Sequence, residues 1–244
     1  MEKIPYFIAD VGLNHMGNEK YAFQYLKSLL KTDVDGICFQ VREKEFYKNK
    51  QKKNILSNDF YIKAILETHK YKKKFGISIC DIDMINLFSN QKIDFFRIIM
   101  NDLVKKKLVT EVYNSKIRNI LVSVGSAKLS DIFKHKSFLK KNQKIKTTYV
   151  YTKHNLDYAK SNLYGIKYLK DKLQTKNIGY INHSSNHDVI STALALDPQV
   201  IIFYVKGNKK IVHPDSKHAI LLSNVKKEIE RWKKIKTSLG DYKL

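Results

Sequence analysis

The sequence has 244 residues, of which 43% are hydrophobic and 11% aromatic, and its 46 lysines and arginines against 23 acidic residues give a formal net charge of +23. This length and apolar content are typical of one packed globular domain and exclude an intrinsically disordered chain. No segment approaches the roughly 18 consecutive apolar residues of a transmembrane helix, and the opening residues lack the apolar core of a signal peptide. The sequence therefore predicts a cytoplasmic protein without a membrane partner.

The positive charge, taken alone, would favour nucleic acid as a partner. The lysines instead fall in short clusters over the whole chain, such as Lys105, Lys106 and Lys107, mostly where helices are expected. Solvated helix faces explain such clusters more simply, and no nucleic-acid recognition motif is present. The charge pattern thus argues against nucleic acid and is compatible with small phosphorylated or carboxylated substrates.

Both cysteines, Cys38 and Cys80, lie in apolar strand-like runs. No set of spaced cysteines and histidines resembles a structural zinc site. Buried thiols in a reducing compartment are the simplest interpretation.

In chain order, short apolar runs alternate with longer amphipathic segments. The runs predict strands at residues 6–9, 36–40, 75–80, 94–99, 120–123, 147–151, 178–181 and 200–205. The intervening segments predict helices at residues 21–30, 61–72, 130–133, 157–173, 189–196 and 225–235, and residues 42–59 are predicted to form a long loop. Eight such strand and helix units predict an α/β fold, a single-domain (β/α)8 TIM barrel over residues 1–244. A doubly wound open sheet is the alternative.

Four segments carry motifs in a consistent order and spacing. They are FIADVGLNHMGN at residues 7–18, VDGICFQVRE at residues 34–43, the runs at residues 93–103 and 117–132, and residues 162–201 followed by HPDSKHAIL. Through these motifs the chain resembles the sialic acid (N-acetylneuraminate or nonulosonic acid) synthase family over nearly all of its length. Members of that family condense phosphoenolpyruvate with an aldehyde sugar, typically N-acetylmannosamine or a related amino sugar, to build surface glycans.

The resemblance implies a phosphoenolpyruvate-dependent transferase whose site lies at the C-terminal ends of the barrel strands. It assigns three catalytic carboxylates, three substrate-binding residues and one ligand of a divalent Mn²⁺ or Mg²⁺ ion. The catalytic carboxylates are Asp10, Asp102 and Asp215, the substrate-binding residues are Gln40, Arg97 and Ser123, and the metal ligand is His183. Each of them also has a structural interpretation, as a turn, a helix cap or an ion pair at the barrel mouth.

The family has glutamates at the positions of Asp10 and Asp102, and a serine and an aspartate at those of Ile181 and Asn182. Three further positions depart from its pattern. Cys38 and Arg97 stand where the family has lysines, and Tyr204 replaces the second metal-binding histidine. Arginine can still grip a phosphate or carboxylate, whereas cysteine supplies neither charge nor strong donors. We therefore expect weak or absent manganese binding, with a rearranged site of His183, Asp215 and His213 as an alternative.

The resemblance also concerns partners. Many bacterial relatives carry a C-terminal domain similar to type III antifreeze protein, whose arginine reaches the active site of the other subunit in a dimer, and the sequence predicts no such domain here. A homodimer and a complex with a partner synthase both remain open. The alternative function is a catalytically degenerate barrel that binds a sugar acid or a partner synthase without turnover.

Overall fold

The structure, a computed structural model, describes residues 6–48, 54–125, 127–139, 145–208 and 210–240. Eight parallel strands follow one another around a closed barrel, because each pairs with the next along the chain and β1 pairs with β8. The strands are β1 (Tyr6–Gly12), β2 (Gly36–Val41), β3 (Lys74–Ile79), β4 (Phe95–Ile98), β5 (Asn119–Ser123), β6 (Lys146–Tyr151), β7 (Ile178–Asn182) and β8 (Val200–Lys206). The predicted TIM barrel is confirmed, and the closure excludes an open doubly wound sheet.

Helices cover the outside of the barrel. They are α1 (Glu19–Leu30), α2 (Lys44–Lys48), α3 (Asn58–Lys70), α4 (Ile85–Asn90), α5 (Lys106–Asn114), α6 (Leu129–Leu139), α7 (Gly165–Leu173), α8 (Asp188–Leu194) and α9 (Leu222–Ser238). A two-residue strand, β9 (Ile220–Leu221), pairs with the end of β8 at the rim. Among the described residues, no helix is long and apolar enough to cross a membrane.

Alternating side chains along each strand form two separate layers, as the period of a strand requires. The outward layer packs under the helices: Trp232 of α9 is fully buried between Phe7 of β1 and Phe203 of β8, with ring centroids 5.7 and 5.2 Å away. The inward layer is apolar in the lower half of the barrel, where the ring of Phe95 occupies the space that a side chain on Gly76 would need. Towards the C-terminal ends of the strands the inward layer becomes polar.

The predicted loop at residues 42–59 is partly wrong. It contains α2, whose Tyr47 is buried and accepts a hydrogen bond through its hydroxyl from the backbone N–H of Arg42 at 3.1 Å. The Arg42 guanidinium also lies 4.4 Å from the ring centroid of Phe46. These contacts hold a helical turn in a segment whose lysine and asparagine content indicates a loop. Residues 49–53 lie outside the described residues.

The predicted helix at residues 157–173 is too long. The structure has a 3-10 turn at Tyr158–Lys160 and begins α7 only at Gly165. Asn162 between them has a φ of +45°, a left-handed conformation that interrupts a right-handed helix. Gly165 packs so closely on Tyr151 that a Cβ there would come within 2.2 Å of the ring. Packing against β6 therefore decides where the helix starts.

Candidate active site

A buried ion pair lies at the C-terminal end of the barrel. Nη2 of Arg97 on β4 donates to Oδ2 of Asp10 on β1 at 2.6 Å, and the two side chains are only 2% and 0% exposed. Nε of Arg97 donates to Oγ of Ser78 at 2.7 Å, and Nη2 also lies 3.4 Å from the hydroxyl of Tyr204. The predicted catalytic carboxylate and the predicted substrate-binding cation thus neutralise each other.

Cys38 lies next to this ion pair. Its Sγ lies 3.2 Å from Oγ of Ser78, beside the guanidinium, and burial raises the pKa of the thiol to about 12. A neutral thiol brings no charge to the site. Within the described part of the chain, Arg97 is consequently the one cation in ion-pair contact with Asp10.

The environment of Asp10 acts on its pKa in both directions. Complete burial raises the pKa of the carboxyl, whereas Arg97 and the backbone N–H of Gly12, which donates to Oδ1 at 2.9 Å, lower it; the net shift is upward. Arg97 in turn has its pKa raised by the Asp10 charge, in spite of its own burial. Removal of only one partner of such a pair lowers the stability of the fold, because it leaves the other charge buried without a counter-ion.

Asp215 reaches the same region from the loop that follows β8. The carboxylate packs against Gly12 of β1, where a Cβ would come within 3.0 Å of its Oδ2. Gly12 has a φ of +54°, a left-handed conformation that favours glycine. Asn14 fixes the loop, since its Oδ1 accepts from the backbone N–H of Asp215 at 3.0 Å while its Nδ2 donates to the carbonyl of Val205 at 2.8 Å. Burial, and secondarily the charge of Asp10, raise the pKa of Asp215 to about 7. A carboxyl that titrates near neutrality is suited to proton transfer.

The raised pKa of Asp215 predicts a dependence of stability on pH. Between about pH 4 and pH 7 the folded chain keeps a proton on Asp215 that the unfolded chain releases. The free energy of unfolding therefore falls across this window as the pH rises. We expect Asp215→Asn to remove this loss. The free energy of unfolding of the variant, measured by chemical denaturation, should therefore increase relative to that of the wild type from pH 5 to pH 8. A constant difference between the two proteins at all pH values would contradict the assignment.

Three histidines gather beside Tyr204. Nδ1 of His183 lies 2.7 Å from Oγ1 of Thr152, and the ring of His183 has its centroid 4.6 Å from that of His154 and 5.1 Å from that of His218. Burial lowers the pKa of His183 well below its usual value and that of His218 to about 4, with neighbouring imidazoles adding to both shifts. His183 and His218 are thus neutral at physiological pH. His154 was not predicted as a site residue, because an exposed residue in a loop leaves no pattern in the sequence.

The residues present do not fit the manganese or magnesium ion that the resemblance implies. Among the described residues no three His, Cys, Asp or Glu side chains form a ready-made metal-binding group. His213 does not join His183; its Nε2 lies 2.9 Å from the hydroxyl of Tyr21 and its ring stacks on that side chain. Both ions prefer several oxygen ligands, whereas His183 has imidazoles as its neighbours.

Asp102 lies in a separate charged cluster. Its Oδ1 is 2.7 Å from Nζ of Lys105, which also lies 3.9 Å from Glu43. Among the hydrogen bonds and ion pairs of the described residues, none joins Asp102 to Asp10 or Arg97. The direct ion-pair partner of Asp102 is therefore Lys105, whereas that of Asp10 is Arg97.

Gln40 and Ser123 lie at the C-terminal ends of their strands. Gln40 is half-buried on β2, where it is in register with Ser78 of β3. Ser123 is buried at the end of β5, two residues beyond Leu121 of the inward layer. Both positions lie at the same end of the barrel as Arg97, although the hydrogen bonds of Arg97 within the described residues go to other side chains.

Comparison with known proteins adds four matches. The sequence model of the NeuB family matches residues 22–243. An uncharacterised protein of Methanocaldococcus jannaschii is 24% identical over 229 residues, which cover 88% of this chain and 65% of that protein. The N-acetylneuraminic acid synthetase of Leptospira borgpetersenii, solved in complex with citrate, superposes with a TM-score of 0.88 at 21% identity over 99% of this chain and 87% of that chain. A Bacillus subtilis spore coat polysaccharide biosynthesis protein superposes with a TM-score of 0.85 at 18% identity over 98% and 70%.

Proposed function

The chain belongs to the NeuB family, as the four sequence segments predicted, and from this premise we propose that it is a sialic or nonulosonic acid synthase-like protein. Its ligands are phosphoenolpyruvate and an amino-sugar aldehyde of the N-acetylmannosamine type. The reaction class is condensation of the two with release of phosphate, in the biosynthesis of surface glycans. A cytoplasmic location, and a homodimer or a complex with a partner synthase, belong to the same proposal.

The observation that carries this proposal is the guanidinium of Arg97 at the C-terminal end of the barrel. Its Nε donates to Ser78 and its Nη2 to Asp10, which fixes the orientation of the guanidinium. An arginine fixed on one side can offer the remaining donors to a phosphate or carboxylate. The nearby Gln40 and Ser123 supply neutral groups suited to hydroxyls or phosphate oxygens.

Proton transfer falls to Asp215 in this proposal. Its carboxyl has a pKa of about 7, so that both protonated and ionised forms are available at neutral pH. Asp10 acts chiefly as the buried counter-ion that holds Arg97 in place. Because the residues do not fit a manganese or magnesium ion, no step is assigned to one.

A second candidate function is favoured by the ion pair itself. Asp10 already neutralises Arg97, and Tyr204 stands in place of an expected metal ligand. A barrel with these features suits the binding of a sugar acid, or of a partner synthase, without turnover. The synthase and a barrel that binds a sugar acid both require an anion to be bound near Arg97, and they differ in whether phosphate is released.

Calorimetry with phosphoenolpyruvate tests whether an anion binds near Arg97. We expect Arg97→Ala to weaken binding by about 10- to 100-fold, because a hydrogen bond to a charged group contributes about 1.5–3 kcal/mol. Arg118→Ala is the matched control, since Arg118 precedes β5 and lies at the opposite end of the barrel. The double variant Asp10→Asn with Arg97→Gln removes both charges without leaving either one unpaired, and it should bind equally weakly. Unchanged affinity in both Arg97 variants would refute the proposal.

A further inference from the structure

A groove lies between α1 and α3 on the outside of the barrel and has a volume of about 750 Å³. Both helices line it with the same pattern, a lysine, an apolar residue three positions later and a second lysine seven positions after the first. On α1 these residues are Lys20, Phe23 and Lys27, and on α3 they are Lys63, Leu66 and Lys70. Because positions i, i+3 and i+7 share one face of a helix, each helix presents one such stripe to the groove.

The middle of the groove is apolar. Leu66 is 59% exposed, and the half-buried Phe23 has its ring against that of Phe60, with the centroids 4.8 Å apart. Removal of such apolar surface from water favours the docking of a partner. The groove therefore offers an apolar floor that a partner can cover.

The ends of the groove are positively charged. Since α1 and α3 both return from the C-terminal to the N-terminal end of the barrel, they run in the same direction, and each end of the groove has one lysine from each helix. All four lysines are exposed. Lys70 pairs with Glu67 at 3.1 Å, whereas the ion pairs of the described residues engage none of the other three. The carboxylate of Glu19, at the start of α1, accepts from the backbone N–H of Ser57 at 2.9 Å.

The excess of positive charge indicates the sign of the partner. A second copy of this chain would bring the same lysines and a net charge of +23, so that like charges would meet at the groove. An acidic partner instead complements the lysines. Solvated helix faces explain most lysines of this chain, but here apolar side chains lie between them on two adjacent helices.

We propose that this groove binds an acidic amphipathic helix of another protein. A helix that lies along the groove can place apolar side chains on Phe23 and Leu66 and acidic side chains beside the lysines at both ends. Seven residues of an α-helix span about 10 Å. The complementary pattern is therefore a pair of acidic residues at i and i+7 with apolar residues at i+3 and i+4. The groove lies on the outside of the barrel, so this inference is independent of the proposed synthase activity.

Fluorescence anisotropy with the full chain and a labelled synthetic peptide tests this proposal. The probe is a helical peptide of about 15 residues, with glutamates at i and i+7 and leucines at i+3 and i+4. We expect the double variant Lys20→Glu with Lys27→Glu to weaken its binding at least about tenfold, because attraction is replaced by like-charge repulsion. Leu66→Asp should weaken binding by a similar factor, since it places a charge on the apolar floor. A peptide of the same composition in scrambled order should bind at least about tenfold more weakly than the probe.

Lys227→Glu with Lys234→Glu is the matched control. These two lysines are exposed on α9 with the same spacing, but Glu230 and Arg231 rather than apolar residues stand at the positions between them. This variant should keep the affinity of the wild type for the probe.

Two results would overturn the proposal. Equal loss of affinity in both double variants, or equal binding of the scrambled peptide, would mean that any anion is attracted to a strongly cationic chain. Failure of the peptide to bind would do the same, and binding of phosphatidylserine vesicles that is lost in Lys20→Glu with Lys27→Glu would then assign the groove to a membrane surface. No measurement contains phosphoenolpyruvate or sugar, so failure here leaves the proposed synthase function untouched.

Discussion

Asp10→Ala is expected to lower the free energy of unfolding by about 3–5 kcal/mol, because it leaves the guanidinium of Arg97 charged and buried without its counter-ion. Both side chains are buried, with exposures of 0% for Asp10 and 2% for Arg97. The other hydrogen bonds of Arg97 within the described residues go to the neutral hydroxyls of Ser78 and Tyr204. Neutral hydroxyls do not compensate a desolvated cation. Chemical denaturation of wild type and variant at neutral pH measures the difference.

The double variant Asp10→Leu with Arg97→Met provides the control. It fills the same space with apolar groups, and replacement of a buried ion pair in this way is often neutral or stabilising. We therefore expect it to recover most of the stability that Asp10→Ala loses. A cost below about 1 kcal/mol for Asp10→Ala, within the range of exposed pairs, would mean that the two side chains do not form a buried pair in solution.

The barrel was readily predictable from sequence because its strands are buried on both faces. The run Val200–Lys206 is almost wholly apolar, and all eight predicted strands agree with the structure to within two or three residues at each end. Helix boundaries were less predictable where tertiary contacts decide them. The contact of Gly165 with Tyr151 and the left-handed Asn162 leave no periodic signal in the chain.

The location of the candidate site could be predicted from the sequence, but the contacts between its side chains could not. The resemblance indicated which residues follow which strands, and the closed barrel brings those strand ends together. It could not indicate that Arg97 pairs with Asp10, since this contact joins side chains of β4 and β1 that are 87 residues apart in the chain. The resemblance likewise did not indicate that Asp102 pairs with Lys105, three residues later.

Condensation of phosphoenolpyruvate with an amino-sugar aldehyde is expected to be at least about 100-fold slower than in a family member with both lysines. Removal of one electrostatic contact to the transition state typically costs about 2.7–4 kcal/mol. Cys38 contributes no charge, and the Arg97 charge is already balanced by Asp10. The anionic substrate therefore meets a site with little net positive charge.

Restoring the family pattern should recover part of this rate. The triple variant Asp10→Glu, Cys38→Lys and Arg97→Lys supplies two cations against one carboxylate, and we expect it to exceed the wild type by about tenfold or more. Cys38→Met in place of Cys38→Lys is the matched control, because methionine has similar length without charge. If both triple variants gained equally, charge at position 38 would not be the cause.

The most direct test is phosphate release from phosphoenolpyruvate by the wild type with N-acetylmannosamine and a panel of related aldehyde sugars. The Leptospira borgpetersenii synthetase, assayed in parallel, provides the reference rate. We expect the wild type to release phosphate at no more than about one hundredth of that rate with any sugar, because of the missing cation and the internal ion pair. Sugar-dependent release at the reference rate, lost in Asp10→Asn, would show that Asp10 and Arg97 act on substrate rather than on each other, and would contradict the account.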